Sequence, residues 1–345
     1  MGPAGALARW RRRVWIAPLL LAAWLCHLAR RRRRRSLADE GAKRPLAAGR
    51  EASEFRPLRE RLSVVITTSA SGRDPSTEML DRVLDSLQLA AGTLACDTVI
   101  VCDGYRCAVG QGAATAPPKY RAGIVDAASA ANYEIYKGAL RRRERAGSDA
   151  EPALRLVELG ARCGFGHAVR AALEHVKTPY VMVVQHDRPF TRAVDISRVV
   201  QAMAADRQRL KYVGLPTADT VGHAAEVLSK YDVRVEPVDV DDAGLQAVPL
   251  LQWYDSTHIC EVEHYRDFVL GPSSPVERGS FIEDTLGARQ LADIRKSGVA
   301  AAHPRYGTFL AAGCGFEEPC VGHVGLVPSA ERFRLLYGGA GAAEP

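Results

Sequence analysis

The chain has 345 residues, 47% of them hydrophobic and 25% charged, which accommodates one large α/β domain with an appendage and excludes a disordered or fibrous protein. Its formal charge of +6 sits at the amino end, where the first 35 positions hold ten arginines and no acid; without them the balance is about −4, which argues against a general nucleic-acid-binding face. Eight cysteines with no Cys-x-x-Cys pair and no His-x3-His spacing argue against a structural zinc cluster.

Residues 14–29 are apolar apart from His27 and are bracketed by Arg11-Arg12-Arg13 and by six arginines from Arg30 to Arg35. Sixteen residues at ~1.5 Å each reach roughly 24 Å, short of a ~30 Å hydrocarbon core, so residues 1–35 read as a marginal signal anchor, with a cleaved signal peptide or a transit peptide as the alternatives. The heavier arginine cluster follows the span, the side that the positive-inside rule keeps cytosolic. Residues 36–61 are rich in Ala, Arg, Glu and Pro without a period and read as a stem or linker.

Leu62-Ser-Val-Val-Ile-Thr-Thr68 opens the folded part as an apolar strand with a polar tip at Thr67 and Thr68. Asp74-Pro-Ser-Thr-Glu78 supplies helix-start chemistry, and Met79, Leu80, Val83, Leu84 and Leu87 fall on one helical face. Thr98-Val-Ile-Val-Cys-Asp-Gly104 is a second strand ending in Asp103, residues 106–118 form a loop, and residues 130–145 form an exposed helix with a basic end. A third strand at 154–159 precedes a glycine turn at Gly164, which opens a helix to Leu173. That helix feeds Tyr180-Val-Met-Val-Val-Gln-His-Asp187, a buried strand delivering an amide, an imidazole and a carboxylate at its carboxyl end. Alternating strand and helix predicts an α/β fold with a doubly wound, mostly parallel sheet, whose three polar strand tips share one nucleotide-sized crevice. In the second half, residues 211–215 form a strand and residues 216–251 form pocket-shaping loops. Cys314 and Cys320 are close enough in sequence to bridge, as are Cys102 and Cys107; the alternative is buried thiols.

Residues 62–187, with Phe281-Ile-Glu-Asp284 and Gly322-His323 further on, resemble a nucleotide-diphospho-sugar glycosyltransferase of the GT-A fold, family 2 type. The resemblance implies donor binding by Thr67, Thr68, Asp103 at the tip of the second strand, Gly166 and Arg170 on the glycine-led helix, and Gln185. Gln185-His-Asp187 stands where the family has Asp-x-Asp, so Gln185 removes one charge while Asp187 keeps the position that ligates Mn2+ or Mg2+, with His323 as a further metal ligand. Ser280-Phe-Ile-Glu-Asp284 resembles the acidic pair that deprotonates the acceptor hydroxyl. Ser280-x-x-Glu283 is also a capping box, which leaves Asp284 as base and Glu283 as the fallback. Trp253, Tyr254 and Asp255 stand where acceptors bind, an aromatic platform beside a carboxylate, although aromatic core is the alternative.

These residues imply single-sugar transfer from a UDP- or GDP-sugar to a hydroxyl of a glycan, glycoprotein or small molecule, inverting and metal-dependent. Residues 62–190 would bind the donor, residues 191–337 the acceptor, and residues 338–345 would be a tail. The amino-terminal segment would be the membrane partner of a single-pass type II protein of the Golgi or endoplasmic reticulum, or else an address to a plastid or other organelle. The competing readings are a nucleotidyltransferase and a catalytically weak pseudoenzyme that only binds the sugar nucleotide, the latter favoured by Gln185.

Overall fold

In the computed structural model the described residues are 56–107, 118–147 and 152–324; the apolar amino-terminal segment, most of the stem and the carboxy-terminal tail lie outside them. The described residues all belong to one compact unit. Among the described residues no helix is long and apolar enough to cross a membrane. The described chain opens with a 3-10 turn, Leu58–Glu60, whose Leu58 is buried, so part of the segment read as stem packs on the core.

The first half alternates as its sequence period dictates: β1 (Leu62–Thr68), α1 (Glu78–Ser86), β2 (Thr98–Cys102), the short pair β3 (Arg106–Cys107) and β4 (Ile124–Val125), α2 (Ala127–Ala146), β5 (Leu154–Glu158), α3 (Phe165–Leu173) and β6 (Tyr180–Gln185). The second half adds α4 (Ile196–Ala205), β7 (Tyr212–Gly214), α5 (His223–Tyr231), β8 (Val238–Asp239), β9 (Gln246–Pro249), β10 (His258–Glu261), α6 (Ala288–Ser297), α7 (Val299–Tyr306) and β11 (Thr308–Ala312).

Nine strands form one sheet in the order β5-β2-β1-β6-β10-β7-β11-β9-β8. β5, β2, β1 and β6 are parallel neighbours, and β9 and β10 are the two strands that run against the rest. The sheet is therefore mixed, with its parallel block in the first half. Within each strand successive side chains point to opposite faces. Val64, Ile66, Ile100, Met182 and Val184 pack with α1, α2 and α4, whereas Val65, Val99, Val101, Val181 and Val183 pack with α3 and the segments around Val262–Leu270 and Ile282–Ile294. Burial on both faces explains why these strands read as unbroken apolar runs.

From β1 the chain steps outward to β2 and β5, then returns to lay β6 on the other side of β1. That reversal opens a crevice beyond the carboxyl ends of β1 and β6, the place where open α/β sheets bind ligands. The register puts Thr67 beside Gln185 on one side and Thr68 beside Cys102 on the other.

Three sequence expectations are corrected. α2 is not exposed: Tyr133, Tyr136 and Leu140, three and four residues apart, form a buried stripe that its charged neighbours mask in a simple count. Residues 216–251 contain α5, β8 and β9. The Cys314–Cys320 bridge is not formed, since Cys320 is packed in the core while Cys314 is exposed and donates to the Ala243 carbonyl; Cys102 and Cys107 are free as well, one buried and one exposed.

Among the histidines enclosed in the fold are His223, His258 and His264. Burial pushes their imidazoles down to about 4, about 4 and about 3, respectively. An unfolded chain protonates such rings near ~6.5, so between that pH and about 4 it binds more protons than the folded one, and stability falls as the pH is lowered through this window. We expect 15N NMR of the folded protein at pH 5 to show all three rings neutral; a protonated ring among them at that pH would contradict their enclosure.

Candidate functional site

At the tip of β6, Gln185, His186 and Asp187 reach three different partners. The Gln185 amide donates to the Asp255 carbonyl at 2.6 Å, on the connection leading into β10. His186 Nδ1 lies 2.6 Å from Thr68 Oγ1, which shares a second hydrogen bond with the Tyr136 hydroxyl at 3.1 Å. Burial lowers the His186 pKa, which leaves the ring neutral. Asp187 Oδ2 is 3.2 Å from His323 Nε2.

His323 is far away in sequence, and backbone pairing brings it in. Thr191 N donates to Cys320 O, Gly322 N to Pro189 O and Val324 N to Asp187 O, each at 2.8–2.9 Å, while Cys320 N donates to Pro216 O at 2.9 Å. The Asp187 carboxyl is partly buried, which works to raise its pKa, but the hydrogen bond to His323 and the neighbouring Arg188 outweigh burial and hold it below the ordinary carboxylate value. Its Oδ1 is buried and has no hydrogen-bond donor. A buried, ionised oxygen with no partner is costly unless something cationic meets it.

The opposite wall is fixed by Asp103. Its Oδ1 accepts from Gly104 N and Cys163 N at 2.9 and 2.7 Å, its Oδ2 from Gly164 N at 2.9 Å, and Arg162 lies 3.6 Å away. Gly164, at φ 78, has no side chain with which to cap α3, and Asp103 does it from another strand. A Cβ on Gly164 would lie 2.6 Å from Gly279 Cα, so the chain around Gly279 can press directly on the helix start, where Gly279 N donates to Cys163 O at 2.7 Å. Phe281 then stacks near Phe165, centroids 6.4 Å apart, with the Arg121 guanidinium 5.1 Å from its ring centre. The result is a cleft of about 160 Å³ bordered by Thr67, Thr68, Asp103, Gln185, His186 and Asp187 on the sheet side and by Tyr120, Arg121, Arg162, Phe165 and Phe281 facing them. It opens into a shallower groove of about 700 Å³ that shares Tyr120, Arg121, Arg162 and Phe281 and carries Asp284 on its wall.

Asp255 plays for the next helical turn the part that Asp103 plays for α3. Its Oδ2 accepts from Ile282 N at 2.9 Å and Glu283 N at 3.4 Å, its Oδ1 accepts from Trp253 Nε1 at 3.1 Å, and Asp255 N donates to Glu283 Oε2 at 3.2 Å. Burial, with the Glu283 charge adding to it, raises the Asp255 pKa well above the carboxylate range. The capping box expected within Ser280-x-x-Glu283 is thus replaced: Ser280 Oγ donates to Glu277 O, and the cap comes from 25 residues further up the chain. Asp284, on the outer side of the π-helical turn Glu283–Gly287, is exposed.

The structure therefore gathers Thr67, Thr68, Asp103, Gln185 and Asp187 around one cleft, with His323 against Asp187. Gly166 faces away from it, its Cα close enough to Val276 and Ile282 that a Cβ would come within 3.0–3.1 Å of them. Arg170 is exposed further along α3, outside the cleft lining. Trp253 and Asp255 do not form an open acceptor platform: Trp253 is 1% exposed, packed among Tyr212, His258 and Tyr265, and of the three predicted acceptor residues Tyr254 alone keeps partial exposure. Sequence reading missed Tyr120, Arg121 and Arg162. Arg162, two residues before the glycine turn, is the one of these whose position carried a signal.

Among the described residues no group of three or more His, Cys, Asp and Glu side chains is placed to hold a metal ion. Asp187 and His323 make a two-donor site, which fits a divalent cation that takes its remaining ligands from water and from substrate phosphates. The orphaned Asp187 Oδ1 is the observation that supports this fit.

Replacing the Gln185 amide by a carboxylate would set like partial charges 2.6 Å apart, against the Asp255 carbonyl. We expect Gln185→Glu to lower the unfolding free energy by about 1–3 kcal/mol in denaturant titrations; a variant as stable as the parent would show that this contact contributes nothing.

No family model and no curated protein matches the sequence. Solved structures that align with it include the mannosyltransferase PcManGT from Pyrobaculum calidifontis in complex with GDP-Man and Mn2+, at 18% identity and a TM-score of 0.29, covering 57% of this chain and 46% of that one. TarS from S. aureus aligns at 14% identity and a TM-score of 0.39, over 80% of this chain and 39% of that one. A CMP:2-keto-3-deoxy-manno-octonic acid synthetase complexed with CTP aligns at 12% identity and a TM-score of 0.35, over 72% and 88%. The chain spans less than half the length of the first two. Likenesses this distant carry no weight for its activity, which rests on the geometry of its own cleft.

Proposed function

We propose that the protein is a glycosyltransferase that moves one sugar from a nucleoside-diphosphate sugar to an acceptor hydroxyl, with Mn2+ or Mg2+ held by Asp187 and His323. The observation that carries this reading is the unpartnered, buried Asp187 oxygen beside His323 at the point where the sheet order reverses. A divalent cation held by these two residues would supply Lewis-acid charge that offsets the charge growing on the departing nucleoside diphosphate. The chain's own groups do the rest. Phe165, Phe281 and Tyr120 offer flat apolar faces for a base, and Arg121, exposed and stacked on Phe281, offers a guanidinium to phosphate oxygens. Thr67 and Thr68 border the same cleft with hydroxyl groups.

In the transfer, Asp284 takes the acceptor's hydroxyl proton as the oxygen attacks the anomeric carbon. The bond from that carbon to the phosphate oxygen breaks, its electron pair leaves with the nucleoside diphosphate, and the proton passes from Asp284 to solvent. A single in-line displacement inverts the anomeric centre. Asp284 suits this task because it is exposed on the groove, whereas Glu283 is committed to the Asp255 backbone.

Two measurements test the proposal. Calorimetric titration with UDP and GDP should show affinity that Mn2+ strengthens, and Asp187→Asn should abolish the Mn2+-dependent part while leaving the thermal unfolding midpoint close to that of the parent; unchanged metal dependence would remove Asp187 from the site.

Turnover of the accepted donor should fall about 10²–10⁴-fold in Asp284→Asn with nucleotide affinity retained, while Glu283→Gln, whose amide oxygen can still accept from Asp255 N, stays within severalfold of the parent. Full activity in Asp284→Asn would refute its role as base, and release of pyrophosphate instead of nucleoside diphosphate would show a nucleotidyltransferase.

A further inference from the structure

The groove beyond the cleft is basic. Outside the first 35 residues the chain is slightly acidic, yet Arg106, Lys119, Arg121, Arg162 and Arg278 surround this one depression, with Asp284 as the carboxylate on its wall. The local fold presents them from two sides. Arg106 on β3 pairs with Ile124 of β4, Lys119 bridges to the same Ile124, and the turn Tyr120–Ala122 carries Arg121, so one small ladder displays three cations. From the facing wall Arg278 is braced by its donations to Arg162 O at 3.2 Å and Cys163 Sγ at 3.0 Å.

Among the described residues Arg162 is paired with Asp103, while Arg106, Lys119, Arg121 and Arg278 make no ion pair. The sequence between Cys107 and Pro118 contains no acidic residue that could neutralise them. Four unpaired cations held around one groove repel each other, an arrangement that an anionic occupant relieves. Tyr120 and Phe281 lie among them, and an aromatic face beside guanidinium groups matches a ring with an apolar C–H face and an attached anion.

We propose that the groove binds the acceptor and that the acceptor is an acidic sugar chain, bearing carboxylate or sulfate groups within reach of Arg106, Lys119 and Arg278. This rests on the transferase reading above and adds to it the chemical class of the second substrate. The acid groups orient the chain along the groove so that a neutral hydroxyl meets Asp284. Arg106 and Lys119 border the groove and not the nucleotide cleft, so their effects separate from donor binding.

The experiment is calorimetric titration of the full chain with three probes, a galacturonate tetrasaccharide, a sulfated tetrasaccharide and a neutral tetrasaccharide, at low and high salt, beside UDP and GDP titrations with Mn2+. We expect one or both acidic probes to bind at least about tenfold more tightly than the neutral one, with that preference shrinking at high salt. The Arg106→Ala/Lys119→Ala double variant, altered at two exposed positions, should lose about tenfold in acidic-sugar affinity and keep its nucleotide affinity. The uronate and sulfate arms identify the anion. Equal binding of acidic and neutral probes, no binding of either acidic probe at millimolar concentration, or acidic binding that the double variant leaves intact would each overturn the proposal. So would tighter binding of tetraglutamate, which would make the groove a peptide site. Loss of nucleotide binding in the parent with acidic-sugar binding intact would count against the donor site and not against the groove.

Discussion

Two buried carboxylates, each seeking donors on a distant piece of backbone, set the shape of everything around the cleft. Asp103 at the tip of β2 takes the N–H groups of Cys163 and Gly164, and Asp255 takes those of Ile282 and Glu283. Helix starts leave N–H groups without partners, and a buried carboxylate without donors is costlier still. Each group resolves the other's problem, so neither can move alone. Losing the carboxylate would strand three backbone donors at Asp103 or two at Asp255, at about 1–3 kcal/mol for each left unsatisfied. With β2, α3 and the turn at 282–287 fixed in this way, the close approach of Gly164 to Gly279 and the Phe165–Phe281 stack follow as geometric consequences.

Asp255 also joins this frame to the sheet. Its carbonyl receives the Gln185 amide from the tip of β6, and its carboxylate receives the indole N–H of Trp253, itself packed against Tyr212, His258 and Tyr265. The exposed Asp284 is thus carried by a turn whose start is tied to the most enclosed aromatic cluster in the second half of the sheet. Rigid support of this kind is what the general-base role proposed for Asp284 requires. It also gives Gln185 a physical reason to be an amide: the atom it faces is an acceptor, and only a donor satisfies it.

The first-half strands and helices were legible because the period of their apolar residues states both type and extent, and the crevice was legible because three such strands end in polar residues. Partners were not. Asp103, Trp253 and Asp255 are polar or amphipathic residues beside turns, and nothing in their spacing distinguishes a group that touches a ligand from one that caps a helix many residues away. The buried face of α2 was hidden because Tyr133 and Tyr136 sit among arginines and glutamates, and hydroxyl-bearing rings weigh little in a count of apolar positions. Residues 216–251 yielded no period because β8 and β9 are two and four residues long, too short to repeat. Arg121 lay in a stretch without any regular element, where a cation reads as ordinary surface. His323 stands out beside its glycine, but the backbone pairing that seats it against Asp187 joins segments that are remote in the chain and leaves no local mark.

That seating has a consequence for how the protein comes into being. A ribosome delivers β1, β2 and β6 early, and the crevice between them can take shape as soon as the sheet closes. Asp187 then lacks its His323 partner until the strand-like stretch ending in Val324 emerges and threads between residues 187–191 and Pro216. A chain that stops short of residue 320 can therefore form the crevice and still lack His323 opposite Asp187.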